Sequence, residues 1–317
     1  MKSTVYGYAR AASCAGVLGL AALLASCGGS SESTSTFSAT RVIAFGDEFS
    51  VITAGQKKYS INALLPGSST AVDCSSNPIW VQVVAGRYGL VFPQCPGDAA
   101  DPASRIYAAN GAVVADLSDQ IDQQLAAGGF AAGDLVTVLV GANDVAAQFA
   151  LYPAVGEDQL LANLDAAGTA LAAQVNRLAD LGAKVLVATI PDVGLTPFGG
   201  DRSAGSTDGN PALLSRLSQR FNDAMLARLT NDGHKIGLIQ LDEYLRALDK
   251  AASLGQGAYA NTIAAACTVA LPDCTPNTLV ADATISTWLW ADARHVGASA
   301  QASLGSLAVT RAQNNPF

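Results

Sequence analysis

Two hydrophobic periods alternate along this chain. Short apolar runs that stop at small polar turns read as buried strands, and longer stretches with apolar residues three and four apart read as helices. The first run is Arg41-Val42-Ile43-Ala44-Phe45, broken at Gly46-Asp47. A second, over 105–109, ends at Asn110-Gly111-Ala112. The most regular, DLVTVLV over 134–140, runs into Gly141-Ala142-Asn143-Asp144. Runs at 184–190, closed by Pro191-Asp192, and at 236–241 complete five strands. Helices are predicted between them: one entered at Asn77-Pro78, one over 119–127 behind Ser118, and one over 158–181 stopped by Gly182. Two more cover 211–229 and 296–313. Residues 51–76, the Gly-rich stretch 199–210 and the segment 252–280 read as loops.

Strands alternating with helices argue for a parallel sheet covered on both faces, joined by right-handed crossovers. The expected fold is a three-layer α/β/α sandwich, a flavodoxin-like, doubly wound, five-stranded parallel sheet. No internal repeat or break in composition interrupts residues 41–317, so they are read as one domain. In such a sheet the polar turns after the strands share the carboxyl edge, where residues distant in sequence converge.

Composition narrows the setting. The chain has 317 residues, half of them hydrophobic, which is enough for a substantial core. A formal charge of -8 argues against nucleic acid, which requires a basic stripe. No long apolar run follows residue 30, so no internal membrane span is expected. Residues 1–26 read as a signal peptide, with Lys2 and Arg10 before an Ala/Leu-rich stretch too short to span comfortably. Leu24-Ala25-Ser26-Cys27 resembles a bacterial lipoprotein signal, which implies acylation of Cys27. The rival is an ordinary secretory signal with an incidental cysteine. Residues 27–40 then form a flexible Gly/Ser/Thr tether. The expected address is the cell envelope, at the outer membrane, with membrane contact through the lipid alone.

Cys14 leaves with the signal, and Cys74, Cys95, Cys267 and Cys274 remain, an even number suited to an oxidising compartment. Local pairing, Cys74–Cys95 and Cys267–Cys274, is favoured because each pair lies within one irregular region. Zinc is the rival, but the spacings are not those of a zinc motif and the chain has only two histidines. No metal or other cofactor is expected.

With those blocks in place, residues 41–300 resemble the SGNH/GDSL hydrolases. The resemblance implies that Gly111 and Asn143 bind an oxyanion, and that Asp292 and His295, spaced Asp-x-x-His, are the orienting acid and general base. Its first block should read Gly-Asp-Ser, with serine as nucleophile; this chain reads Gly46-Asp47-Glu48. The implied activity is hydrolysis of carboxylic esters, by a lipase, an esterase or an acetyl esterase acting on a lipid or acylated glycan.

Glu48 changes that expectation. A carboxylate there is already ionised and places negative charge beside donors meant for a transition-state oxyanion. Three accounts remain open. Glu48 pairs with a protonated His295, and the protein is a silent lipoprotein that binds an acylated or glycan ligand. Alternatively, Glu48 or His295 activates water directly. In the third account Ser50 is the nucleophile, although it lies two residues further along a tight turn. The first account predicts a raised pKa for His295.

Overall fold

The three central apolar runs are buried on both faces of one sheet, the condition under which a strand reads as continuous hydrophobic sequence, while the two edge strands are less completely covered. In the computed structural model, which describes residues 37–200 and 209–317, the strands are β1 (Arg41–Gly46), β2 (Arg105–Ile106), β3 (Asp134–Leu139), β4 (Lys184–Ala188) and β5 (Ile236–Ile239). All are parallel, in the order β2-β1-β3-β4-β5. That is the doubly wound order in which the chain reverses between β1 and β3. The expected fold class is therefore the observed one. The signal peptide, Cys27, the tether as far as residue 36, and the centre of the Gly-rich loop lie outside the described residues.

Seven helices complete the described fold: α1 (Trp80–Arg87), α2 (Leu117–Ala126), α3 (Ala142–Phe149), α4 (Glu157–Asp180), α5 (Pro211–Leu226), α6 (Leu241–Ser253) and α7 (Ala298–Asn314). Helices α1 and α7 pack on each other over one face of the sheet, α2 and α4 cover the other, and α5 packs against α4. The core joins Val42 to Phe45, Val136, Val138 and Val185 to Ala188 with Trp80, Leu171, Phe221 and Leu304. Residues 37–317 form one compact unit whose core is built from its own side chains, so this segment contains what it needs to fold alone.

Several boundaries differ from those expected. Asn77 does not cap α1: its backbone is left-handed (φ 49°) and its amide donates to the Ile61 carbonyl. Ile79 holds the cap position, and its N–H is satisfied by Gln82. Helix α2 starts at Leu117, so Ser118 lies inside it. Strand β2 is only two residues long, although the N–H groups of Tyr107 and Ala109 still bond to Ala44 and Gly46. Helix α6 had no counterpart in the sequence reading. A small parallel pair, Asn261–Ala265 with Trp288–Trp290, leads into the last loop before α7. Both disulfides, Cys74–Cys95 and Cys267–Cys274, join as favoured.

Candidate active site

Glycine is required where β1 ends. Gly46 has φ 119°, and a Cβ built there would lie 2.0 Å from the Leu139 carbonyl oxygen on β3. Gln120 of α2 clasps the same residue, accepting from its N–H at 2.7 Å and donating to its carbonyl at 2.9 Å. Asp47 then turns the chain, accepting from Phe49 N–H at 3.1 Å and capping the short 3-10 turn Glu48–Ser50. Together these contacts fix where Glu48 leaves the backbone.

Asn143 and Gly111 reach the same point from neighbouring strand ends. Gly141, after β3, has φ 129° and lies where a Cβ would strike the Phe221 ring at 2.3 Å; α3 begins immediately after it, with Asn143 in its first turn. Gly111 follows β2, and its loop is held to α3 by the Val114 N–H donating to Asp144 at 3.1 Å. Burial pushes the Asp144 carboxyl up to about 6 despite that bond.

The third approach is the loop between Trp288–Trp290 and α7. The Ala291 N–H to His295 carbonyl bond (2.8 Å) closes it. Asp292 Oδ1 accepts from the backbone N–H groups of Arg294 (2.8 Å) and His295 (2.7 Å). The Asp292 carboxylate also meets His295 Nδ1 at 2.8 and 2.9 Å.

These elements meet at Glu48. Its Oε1 lies 2.9 Å from His295 Nε2. Its Oε2 accepts from the Gly111 N–H at 2.8 Å and from Asn143 Nδ2 at 3.0 Å. Glu48 is 4% exposed and His295 6%, so these charges interact with little water between them. Burial alone would raise the Glu48 carboxyl, but the hydrogen bond and charge of His295 and the Gly111 N–H outweigh it and hold the group at about 2. Burial works against the imidazolium too, yet Asp292 and Glu48 together raise His295 to about 9. Burial would raise the half-buried Asp292 as well, but the hydrogen bond and charge of His295 hold it below its usual range. Asp47 moves the other way: burial and the neighbouring Glu48 charge push it well above the carboxylate range.

Ser50 stands apart. It is fully buried, its Oγ accepts from the Trp80 indole N–H at 3.1 Å, and among the described residues no hydrogen bond joins it to His295. Two further contacts shape the site without having been foreseen. Arg294 donates to Asn143 Oδ1 at 2.8 Å, which fixes the amide with its N–H side toward Glu48; its guanidinium sits 5.7 Å over the Phe198 ring. Phe49 and Tyr59 pack on the His295 ring at 5.5 and 6.3 Å. Gln120 could have been found in the sequence, since it interrupts the buried face Leu117, Ile121 of α2 with a polar group. Arg294 left no comparable signal.

An imidazole oriented by an aspartate, facing two N–H donors at the carboxyl edge of a parallel sheet, is the base and oxyanion half of a nucleophilic hydrolase site. A family profile described as GDSL-like lipase/acylhydrolase matches residues 42–273. The chain belongs to that family. Among solved structures, an extracellular lipase from Streptomyces rimosus is 18% identical, with a TM-score of 0.45 over 87% of this chain and 100% of that one. An acetylxylan esterase from Geobacillus stearothermophilus is 13% identical (TM-score 0.44, 87% and 96%), and a lipase from a goat rumen metagenome 11% (0.47, 87% and 99%). No curated protein matches the chain.

Proposed function

We propose that this chain is a catalytically silent member of its hydrolase family, an envelope lipoprotein that binds an acylated ligand on a scaffold built for ester hydrolysis. One observation carries the reading: the Glu48 carboxylate occupies the oxyanion donors and the imidazole at the same time. In an active family member a serine at position 48 would attack the ester carbon, Nε2 of the imidazole would take its proton, and the two N–H groups would receive the developing oxyanion. Here Oε2 already sits 2.8 and 3.0 Å from those donors, within the range expected for an oxyanion itself. The side chain stands in for the transition state's negative oxygen. His295, protonated between two carboxylates, has no lone pair with which to activate water at neutral pH. Glu48, held at about 2, is a weak base.

The test is hydrolysis of short-chain nitrophenyl esters by residues 30–317. Wild type should be inert, and Glu48→Ser should gain activity that disappears again in Glu48→Ser with His295→Ala. Releasing the oxyanion donors alone is worth about 100- to 1000-fold, so the gain should be at least of that order. Wild-type turnover that depends on His295 would sink the silent reading and return the chain to the ester hydrolases. The lipoprotein part has its own check: Cys27→Ser should move the full chain from the membrane fraction to the soluble fraction, and an unchanged distribution overturns it.

A further inference from the structure

Away from this site, a cavity of about 410 Å³ lies between α1 and the loop tied down by the Cys74–Cys95 disulfide. Pro78, Val83, Leu90 and Phe92 form apolar walls, and Ser75 and Gln82 contribute the polar side chains. Both of those already have partners. Gln82 accepts from the Ile79 N–H at 3.1 Å and donates to the Cys74 carbonyl at 3.0 Å, while the Ser75 hydroxyl bonds to Asp73. The side chains of the cavity therefore offer mainly apolar contact surface, and its two polar side chains are already engaged within the protein. A sugar or a peptide would find few partners there for its many polar groups, whereas an unbranched hydrocarbon loses nothing by entering.

The position of the cavity says where such a chain would come from. Phe37, the first described residue, packs edge-on against Tyr88, with ring centroids 6.4 Å apart. The N–H groups of Tyr88 and Leu90 both bond to the carbonyl of Ala85, which lines the cavity. Cys27 lies ten positions before Phe37 (37 − 27), a span of at most about 36 Å. We propose that this cavity takes the acyl chain of a lipid from the membrane to which Cys27 ties the protein, a second hydrophobic hold beside the covalent one. The source of the lipid rests on the lipoprotein reading above; the binding chemistry does not.

The experiment is calorimetric titration of residues 30–317 with palmitate. One palmitate should bind per chain. Gly86→Trp places an indole at the cavity rim, where a Cβ meets nothing within 4 Å, so the helix accepts it. It should weaken binding at least about tenfold, as should Leu90→Glu from another wall. A wild-type chain that binds no palmitate, or variants that bind it as wild type does, overturns the proposal. Palmitate binding together with a full chain that stays soluble despite Cys27 overturns the membrane as the source and leaves the cavity standing.

Discussion

The protons on the His295 ring decide what this site can do. Nδ1 faces Asp292 and Nε2 faces Glu48, both within 2.9 Å. A neutral imidazole has one N–H, so it can satisfy one carboxylate and must turn a bare lone pair toward the other. Two carboxylates therefore retain both protons, which is why the ring titrates at about 9 although burial opposes its charge. Glu48→Gln removes one of the two negative charges while keeping the shape and a group that can accept or donate. The pKa of His295, followed through its ring C–H resonances, should then fall by at least about one unit. An unchanged value would mean that Asp292 alone sets the proton and that the contact with Glu48 is incidental. Glu48→Ser should lower it in the same way, which is part of why that variant should regain a base.

At the scale of elements, the site depends on how β1 ends. Leu139 of β3 leaves no room for a side chain at Gly46, Gln120 satisfies both backbone groups of that residue, and Asp47 caps the turn that follows. Gly46→Ala combines a positive φ with backbone overlap, and should cost about 2–4 kcal/mol of stability, read from the urea midpoint. A loss below about 0.5 kcal/mol would mean that the turn is not held as tightly as the packing implies. Much of this element was legible in the sequence: β1 and β3 are central strands buried on both faces, and their apolar runs stop at the glycines that turn them. Helix α6 carries Leu241, Leu245 and Leu248 at helical spacing, but it starts two residues after β5 ends, so Leu241 also continues the apolar run of the strand and the pattern alone does not separate the two. Asn77 carried the sign of a helix cap, but its left-handed backbone and its bond to Ile61 are set by a distant loop. The closure by Glu48 could not be read at all. It depends on a few ångströms between three strand ends and on one side-chain direction, and residue spacing encodes neither.

For the whole molecule, the buried charges make stability a function of pH, and their signs differ. The folded pKa of His295 is above its unfolded value, so its contribution is full below about 6.5 and is lost as pH rises through about 9. The folded pKa of Glu48 is depressed, so its contribution is present above about 4.5 and is lost as pH falls through about 2. These are two views of one ion pair and count once. Other groups overlap the window. Lys58 donates to the carbonyls of Cys74, Ser76 and Asn77, and burial lowers it to about 8, so the penalty on its charge is relieved above that pH. Asp144, raised to about 6, destabilises the fold as pH climbs from about 4 through that value. Neither Lys58 nor Asp144 hydrogen-bonds to Glu48, so both largely cancel in the difference in unfolding free energy between wild type and Glu48→Gln; what remains is the pair together with Asp47, whose carboxyl the Glu48 charge helps push up. That difference should favour wild type by on the order of 2–3 kcal/mol between about pH 4.5 and 6.5 and shrink on either side. Above about pH 9 it should change sign, because the deprotonated Nε2 then turns its lone pair on a carboxylate 2.9 Å away while a glutamine amide can donate to it. Denaturant unfolding at pH 3, 5.5, 8 and 10 tests this, and a difference that is flat across the series would show that Glu48 and His295 are not coupled in the folded protein.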